Sequence, residues 1–246
     1  MFRTIRIRKR TILILACALL VTLICFRVAT ARLQERYVTA IAWSLAGKMI
    51  VVDPGHGGED PGALGSTGVH EKDIVLDVSK KLVDILRQAG AEALLTREND
   101  RDLSDSGILS LHDIKRQDLF RRVDLANQKN ADLFISIHVN SFPDRRECGP
   151  QTFSQPGSVE SKKLAEAIQR EFNRYLENPG RAAKQVDYYA NRMTKMPSAI
   201  IEIGFISNPG EEKLMLDPVY QNRIAWSIYA GIARYLASPG AVPSPL

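Results

Sequence analysis

The fold is decided by one short stretch, MIVVDPGHGG at residues 49–58. Its apolar, β-branched beginning and its Gly- and Pro-rich end predict a buried strand followed directly by a turn. Open α/β sheets bind their ligands outside the carboxyl ends of their strands, and this prediction places His56 there. The glycines on both sides let the backbone approach whatever the imidazole binds. A tight turn with an incidental histidine is the alternative.

Strand and helix patterns alternate along the rest of the chain. Strands are predicted at 49–53, 91–96, 132–139, 152–153, 185–190 and 198–203, and helices at 72–89, 114–129, 159–176, 211–216 and 220–236. Residues 98–113 are polar and are predicted to form a long loop. The alternation predicts an α/β fold: a twisted, mostly parallel sheet with helices on both faces, in a single domain behind an N-terminal membrane segment.

The N-terminus has the charge pattern of a targeting segment. Five basic residues and no acid occupy the first ten positions, and residues 11–26 carry no charge. This pattern predicts either a signal peptide, with a cleavage site at Ala29-Thr30-Ala31, or an uncleaved signal anchor. The positive-inside rule places the remainder outside the cytoplasm. The expected organisation is a targeting segment at 1–31, a linker at 32–47, the main domain at 48–237 and a loose tail at 238–246.

The formal net charge of +5 belongs to the N-terminal segment. Six of the 33 Lys and Arg residues precede residue 28, so the remainder has 27 bases against 28 acids. A main domain with almost no net charge gives no indication of nucleic-acid binding, and we expect none. Cys148 is the one cysteine outside the apolar N-terminal run. The exported part can therefore form no intrachain disulfide, and its hydrophobic core must stabilise it.

Four polar residues occupy strand ends or positions that are normally apolar in an α/β core: His56, Glu71, His138 and Glu202. Glu202 is the most unusual because it lies inside an apolar strand, and burying an unpaired carboxylate is energetically costly. It therefore needs a cation, a metal ion or a polar cleft. A buried ion pair with an arginine such as Arg97 and a water-facing position on an edge strand are the alternatives.

Together, two imidazoles and one carboxylate form a known ligand set for catalytic zinc, with one coordination position left for water. Glu202, outside that set, could take a proton from the water and pass it to a leaving nitrogen. Taken singly, His138 could be a satisfied core histidine and Glu71 a helix N-terminal acid. The chain lacks the His-Glu-x-x-His, Gly-x-Ser-x-Gly and Gly-Lys-Ser/Thr motifs, which argues against those hydrolases and a phosphate-binding loop.

Five segments carry a family resemblance: DPGHGG at 53–58, EKD at 71–73, LTR at 95–97, SIHVN at 136–140 and EIGFISN at 202–208. In order and spacing they resemble the zinc N-acetylmuramoyl-L-alanine amidases of the amidase-3 family, over about residues 48–237. The resemblance implies an α/β sandwich in which His56, Glu71 and His138 bind Zn²⁺. It implies that Glu202 is the catalytic glutamate.

The resemblance also implies the reaction, which is hydrolysis of the amide between N-acetylmuramic acid and L-alanine in peptidoglycan. With one short anchor and no wall-binding repeat, the chain is most similar to the germination-specific, spore-cortex amidases. In those proteins stem removal precedes muramic-lactam formation. We accordingly expect an extracytoplasmic protein in the intermembrane space around the forespore, either attached to the membrane through the N-terminal segment or secreted, and an accessory lipoprotein. The alternatives are a vegetative amidase of cell separation, a non-catalytic peptidoglycan-binding module, and an enzyme for another amide such as a cross-link.

Overall fold

The computed structural model describes residues 9–40, 42–105, 107, 110–176 and 180–238. The chain divides into two units, Met1–Ile41 and Ala42–Leu246. In the first unit, helix α1 (Lys9–Ala40) contains the stretch Ile12–Thr30, with 19 residues and a hydropathy of 2.7. This stretch is long and apolar enough to cross a membrane, and signal sequences share both properties. The helix is therefore compatible with both N-terminal alternatives.

The segment expected as a linker, 32–47, has regular structure in its described part. α1 continues to Ala40, and a 3-10 turn follows at Ala42–Leu45. The turn belongs to the second unit, where Leu45 is fully buried. The domain boundaries stay predictions, and residues 1–8 and 239–246 of the predicted end segments lie outside the described residues.

A six-stranded sheet forms the centre of the second unit. The strands are β1 (Met49–Pro54), β2 (Glu92–Leu95), β3 (Leu133–Asn140), β4 (Gln151–Ser154), β5 (Lys184–Gln185) and β6 (Ser198–Phe205). Their order across the sheet is β2-β1-β3-β6-β4-β5. β2, β1, β3 and β6 run parallel, β4 is antiparallel to β6, and β5 is parallel to β4. The prediction of a mostly parallel sheet is confirmed.

Helices cover both faces of this sheet. They are α2 (Glu71–Gln88), α3 (Leu111–Gln128), α4 (Val159–Tyr175), α5 (Tyr189–Met193), α6 (Pro209–Met215) and α7 (Pro218–Leu236). On one face, Val51, Phe134 and Ile200 form a buried cluster with Val123 and Ala126 of α3. The alternate strand residues point to the opposite face, where α2 and α4 pack on the strands and α7 packs on both of these helices. The two-sided burial explains why the strands are almost continuously apolar.

The structure corrects two of the predicted elements. The strand predicted at 185–190 is wrong: β5 ends at Gln185, and Tyr189–Met193 is a short helix. There the packing of Ala190 into the α3 core cluster outweighs the β-propensity of the local sequence. The loop predicted to reach residue 113 ends earlier, because α3 begins at Leu111. Asp113 in its first turn is favourable to the helix dipole.

Candidate functional site

Three of the four predicted site residues meet at one edge of the sheet. His56 follows β1, Glu71 is the first residue of α2, and His138 lies near the end of β3. β1 and β3 are adjacent and parallel, so their carboxyl ends place the two histidines side by side. Nε2 of His56 is 3.2 Å from Nδ1 of His138 and 3.2 Å from Oε1 of Glu71. The third distance, from Nδ1 of His138 to Oε1 of Glu71, is 3.1 Å.

These three atoms form a nearly equilateral triangle that could hold a metal ion. In tetrahedral zinc sites, bonds of about 2.0–2.2 Å to N and O ligands require the donor atoms to be about 3.3–3.5 Å apart. The triangle is only slightly smaller than one face of that tetrahedron. Donor types, donor number and spacing therefore all fit a three-ligand metal centre with one open position.

The charges at this triangle favour a cation. Burial alone would lower the pKa of His56, but hydrogen bonds and negative charge from Asp60 and Glu71 raise it to about 9. Burial would raise the pKa of the Glu71 carboxyl, yet His138 and His56 hold it well below its usual range. Glu71 is consequently ionised at every physiological pH. Protons and a metal ion therefore compete for the imidazole of His56.

Backbone donors fix the Glu71 carboxylate in its position. The N–H of Val139 donates to Oε1 at 2.8 Å, and the N–H of Ala63 donates to Oε2 at 2.9 Å. Val139 follows His138 on β3. The end of this strand therefore carries one residue of the triangle, His138, and orients another, Glu71. Neither contact involves a metal ion, so the backbone alone orients the carboxylate toward the two histidines.

Two buried arginines hold the loop that carries His56. Arg122 of α3 donates to the carbonyl oxygens of Pro54 and His56, each at 2.6 Å, and to the carboxylate of Asp53 at 2.9 Å. Arg97 donates to the carbonyl oxygens of Pro54 at 3.0 Å and Gly55 at 2.9 Å. These bonds support a backbone that includes His56 at φ +60, a left-handed conformation rare for a residue with a side chain.

Two glycines in this loop are required by close approach to the site. A Cβ atom on Gly55 would lie 2.3 Å from Cε1 of His138. One on Gly62 would lie 2.6 Å from Oε2 of Glu71, and the φ of +69 there also disfavours other residues. The glycines thus make room for the donor side chains.

Glu202 lies next to the triangle on β6, in register with His138 on the neighbouring strand. Its Oε2 is buried and has no hydrogen-bond partner among the described residues. Burial, assisted by the charge on Glu71 and opposed by the two histidines, raises the pKa of Glu202 to about 7. Both structural alternatives for this residue are wrong: Arg97 binds backbone carbonyls instead, and β6 is an inner strand.

Further residues, which the sequence did not predict, support the site. Asp60 accepts from Nδ1 of His56 at 2.8 Å, and Lys115 of α3 lies 2.8 Å from the other Asp60 oxygen. Glu212 of α6 binds the backbone N–H and hydroxyl groups of Ser66 and Thr67 in the loop between His56 and Glu71. An acid four residues after a candidate histidine was the one available signal, and it pointed to Asp60.

By class, the fold and site define an α/β protein with a candidate metal centre beside a buried carboxylate. Residues 50–234 match the Amidase_3 family, described as N-acetylmuramoyl-L-alanine amidase. The chain belongs to this family, and the family resemblance found in the sequence is confirmed. The match includes all four predicted site residues.

Curated relatives and solved structures agree with this assignment. The germination-specific N-acetylmuramoyl-L-alanine amidase of Bacillus subtilis is 44% identical over 205 residues, which cover 82% of this chain and 86% of that protein. The CwlD amidase of Clostridioides difficile, solved in complex with the GerS lipoprotein, superposes with a TM-score of 0.76 at 38% identity. The superposition covers 78% of this chain and 99% of that one. AmiA of Escherichia coli is 28% identical, with 76% of each chain covered.

Proposed function

We propose that this protein is a zinc-dependent hydrolase that cleaves the amide bond between N-acetylmuramic acid and L-alanine in peptidoglycan. The observation that carries the proposal is the triangle of His56, Glu71 and His138 donor atoms, beside which the buried Oε2 of Glu202 has no hydrogen-bond partner among the described residues. In this proposal the triangle binds zinc and Glu202 is the catalytic residue. Family membership supports the choice of substrate.

The two carboxylates of the site are suited to different roles. Glu71 accepts two backbone N–H groups and stays ionised, as a metal ligand must. Glu202 has a pKa of about 7, near the value at which a side chain can both accept and donate a proton at neutral pH. Pairs of carboxylates whose surroundings separate their pKa values are characteristic of acid–base catalysis.

A bound zinc ion would act as a Lewis acid that polarises the scissile carbonyl group and makes a water molecule more acidic. Glu202 takes the proton of the attacking water as the new carbon–oxygen bond forms. It then delivers that proton to the nitrogen of L-alanine as the carbon–nitrogen bond breaks. The products are a muramic acid carboxyl group and a peptide stem with a free amino terminus, so atoms and charge balance.

Product analysis tests this proposal. The purified protein should release from peptidoglycan stems that begin with a free L-alanine amino group, identified by mass spectrometry, and a zinc chelator should abolish the release. Glu202→Gln should lower the rate by several orders of magnitude with bound zinc unchanged. Glu92→Gln, on the exposed surface of β2, is the matched control and should behave as wild type.

Three results would contradict the proposal. Cleavage at a peptide cross-link would mean a different amide substrate. Full activity after complete zinc removal would refute the metal role. Tight peptidoglycan binding without any released product, unaffected by Glu202→Gln, would indicate a binding module instead of an enzyme.

We propose further that the substrate is spore-cortex peptidoglycan and that stem removal prepares muramic acid for lactam formation. The similarity to the germination-specific relative supports this role. Deletion of the gene should remove muramic lactam from spores and leave vegetative cell separation intact. Unseparated chains of cells with normal spore lactam would favour the vegetative alternative.

The location and partner proposals follow from the same comparison. We propose an extracytoplasmic enzyme in the intermembrane space around the forespore, delivered or attached there by α1. Since the similar C. difficile amidase was solved with a lipoprotein, we propose a lipoprotein partner here as well. Capture of the tagged protein from sporulating cells should recover a lipoprotein in stoichiometric amount. Full activity of the isolated protein together with no captured lipoprotein would refute the partner.

A further inference from the structure

We propose that Asp60 and Lys115 are positioning residues that fix the ring of His56 for metal binding, so that helix α3 sets the metal affinity of the site. The inference rests on the proposed zinc centre. It assigns a role to two side chains that lie outside the donor triangle.

The contacts form a continuous chain from the helix to the donor atom. Nζ of Lys115 is 2.8 Å from Oδ1 of Asp60, and Oδ2 of Asp60 is 2.8 Å from Nδ1 of His56. The N–H of Gly62 also donates to Oδ1 of Asp60, at 3.3 Å. The Asp60 side chain is 15% exposed, and that of His56 is 23% exposed. With Nδ1 bound to Asp60, only Nε2 of His56 is available to the triangle.

Of the three residues of the triangle, His56 has the backbone environment that does least to fix its side chain. Glu71 is held by two backbone N–H groups, and His138 lies on a central strand. His56 instead lies between glycines, in a left-handed backbone conformation. A carboxylate that accepts the Nδ1 proton selects the tautomer with a free Nε2 lone pair and fixes the rotation of the ring.

Helix α3 is connected to both the backbone and the side chain of His56. Arg122 binds its carbonyl oxygen directly at 2.6 Å, and Lys115 reaches its side chain through Asp60. Lys115 and Arg122 are seven residues apart, which is two helical turns, so they project from the same face of α3. Asp118 lies between them and binds Arg122 at 2.8 Å. One helix face therefore determines where both the backbone and the imidazole of His56 lie.

Zinc affinity of the full-length protein, measured by competition with a chromophoric chelator, tests the inference. Asp60→Ala should weaken zinc binding by about 10- to 100-fold, the usual effect of losing such an outer contact. Asp60→Asn should give a smaller loss, because its amide oxygen can still accept from Nδ1. In the cobalt-substituted protein, the Asp60→Ala absorption bands should shift, since the ring of His56 is no longer fixed.

A charge series at Lys115 tests the second link without touching the core. Lys115→Arg should bind zinc as wild type does, and Lys115→Met about two- to fivefold more weakly, in keeping with a partly exposed ion pair. Lys115→Glu places a carboxylate against Asp60 and should weaken binding further, by about tenfold. Arg116→Glu is the matched control: it makes the same charge change on the next residue, whose contact is with Asp113.

The outcomes separate the inference from the function on which it rests. Wild-type protein that binds no zinc would overturn both. Tight wild-type binding with Asp60→Ala within twofold of it would overturn the inference and leave the proposed function standing. Equal losses of zinc affinity in Lys115→Glu and Arg116→Glu would mean that Lys115 acts only through its charge at long range, and the positioning role of Lys115 would be refuted. If Asp60→Ala fails to fold, the Lys115 series and Asp60→Asn decide the question.

Discussion

Replacement of the proposed catalytic carboxylate should make the metal-free protein more stable. Glu202 is half-buried, its Oε2 atom is buried without a hydrogen-bond partner among the described residues, and its pKa is about 7 instead of the ordinary 4.5. The folded protein therefore holds this group more favourably when it is neutral. Glutamine keeps the shape of the side chain and cannot ionise, so Glu202→Gln removes the charge without leaving a cavity.

The size of the effect follows from the two pKa values. A difference of about 2.5 between them corresponds to about 3–4 kcal/mol at about 1.4 kcal/mol per pH unit. Below pH 4.5, Glu202 is protonated in both the folded and unfolded chains, so charge contributes no difference. As the pH rises from 4.5 to 7, the unfolded chain ionises first and wild-type stability falls relative to the variant. Above pH 7 the advantage of Glu202→Gln is complete.

Urea unfolding of the chelator-treated proteins at several pH values between 5 and 8.5 measures this difference. The free energy of unfolding of Glu202→Gln minus that of wild type should increase by about 2–3 kcal/mol over the range. Glu212→Gln is the contrasting control. Its four hydrogen bonds overcome the effect of burial and lower the pKa of Glu212 to about 2, so it is ionised throughout and its difference should be constant with pH. If the difference in the free energy of unfolding between Glu202→Gln and wild type did not change with pH, the folded protein would not raise the pKa of Glu202.

Three further changes test other parts of the structure. Gly55→Ala should weaken zinc binding by more than about 100-fold in chelator competition, with an unchanged circular dichroism spectrum, because the added methyl group collides with His138; unchanged affinity would mean that the ring lies elsewhere. Arg122→Met should cost about 3–5 kcal/mol in urea unfolding, because it leaves the buried Asp53 carboxylate without its ion pair; a loss below about 1 kcal/mol would contradict this. Removal of residues 1–41 should leave a protein with the same thermal unfolding midpoint, because the second unit has its own core; an aggregated or non-cooperative product would contradict it.

Much of the site was predictable because its chemistry lies at strand ends. Polar residues at the ends of β1 and β3 and inside β6 contradict the apolar pattern around them, so His56, His138 and Glu202 are visible without any structure. Parallel neighbours then bring the strand ends together. Glu71 was less conspicuous, because an acid at a helix start has an ordinary explanation in the helix dipole.

The supporting residues could not be predicted because their roles depend on how α3 packs across the end of β1. Lys115 and Arg122 belong to a segment that was correctly predicted to be a helix. Nothing in its sequence pattern indicates that Arg122 binds the backbone of His56 or that Lys115 binds Asp60. Arg97 is a predicted partner of Glu202, but its guanidinium group binds carbonyl oxygens at the end of β1 instead. Long-range pairings of this kind depend on the tertiary arrangement and leave no local signal.

The distribution of the two arginines explains why Glu202 can stay unpaired. Both guanidinium groups are already bound to carbonyl oxygens at the end of β1, and Arg122 also neutralises Asp53. β3 lies between β1 and β6, so neither cation is placed to form an ion pair with Glu202. An arginine that formed an ion pair with Glu202 would favour the ionised carboxylate and lower its pKa, and the residue would then be a poor proton donor. Among the described residues, the two buried guanidinium groups thus lie at the structural loop, and the proposed catalytic carboxylate keeps a pKa of about 7.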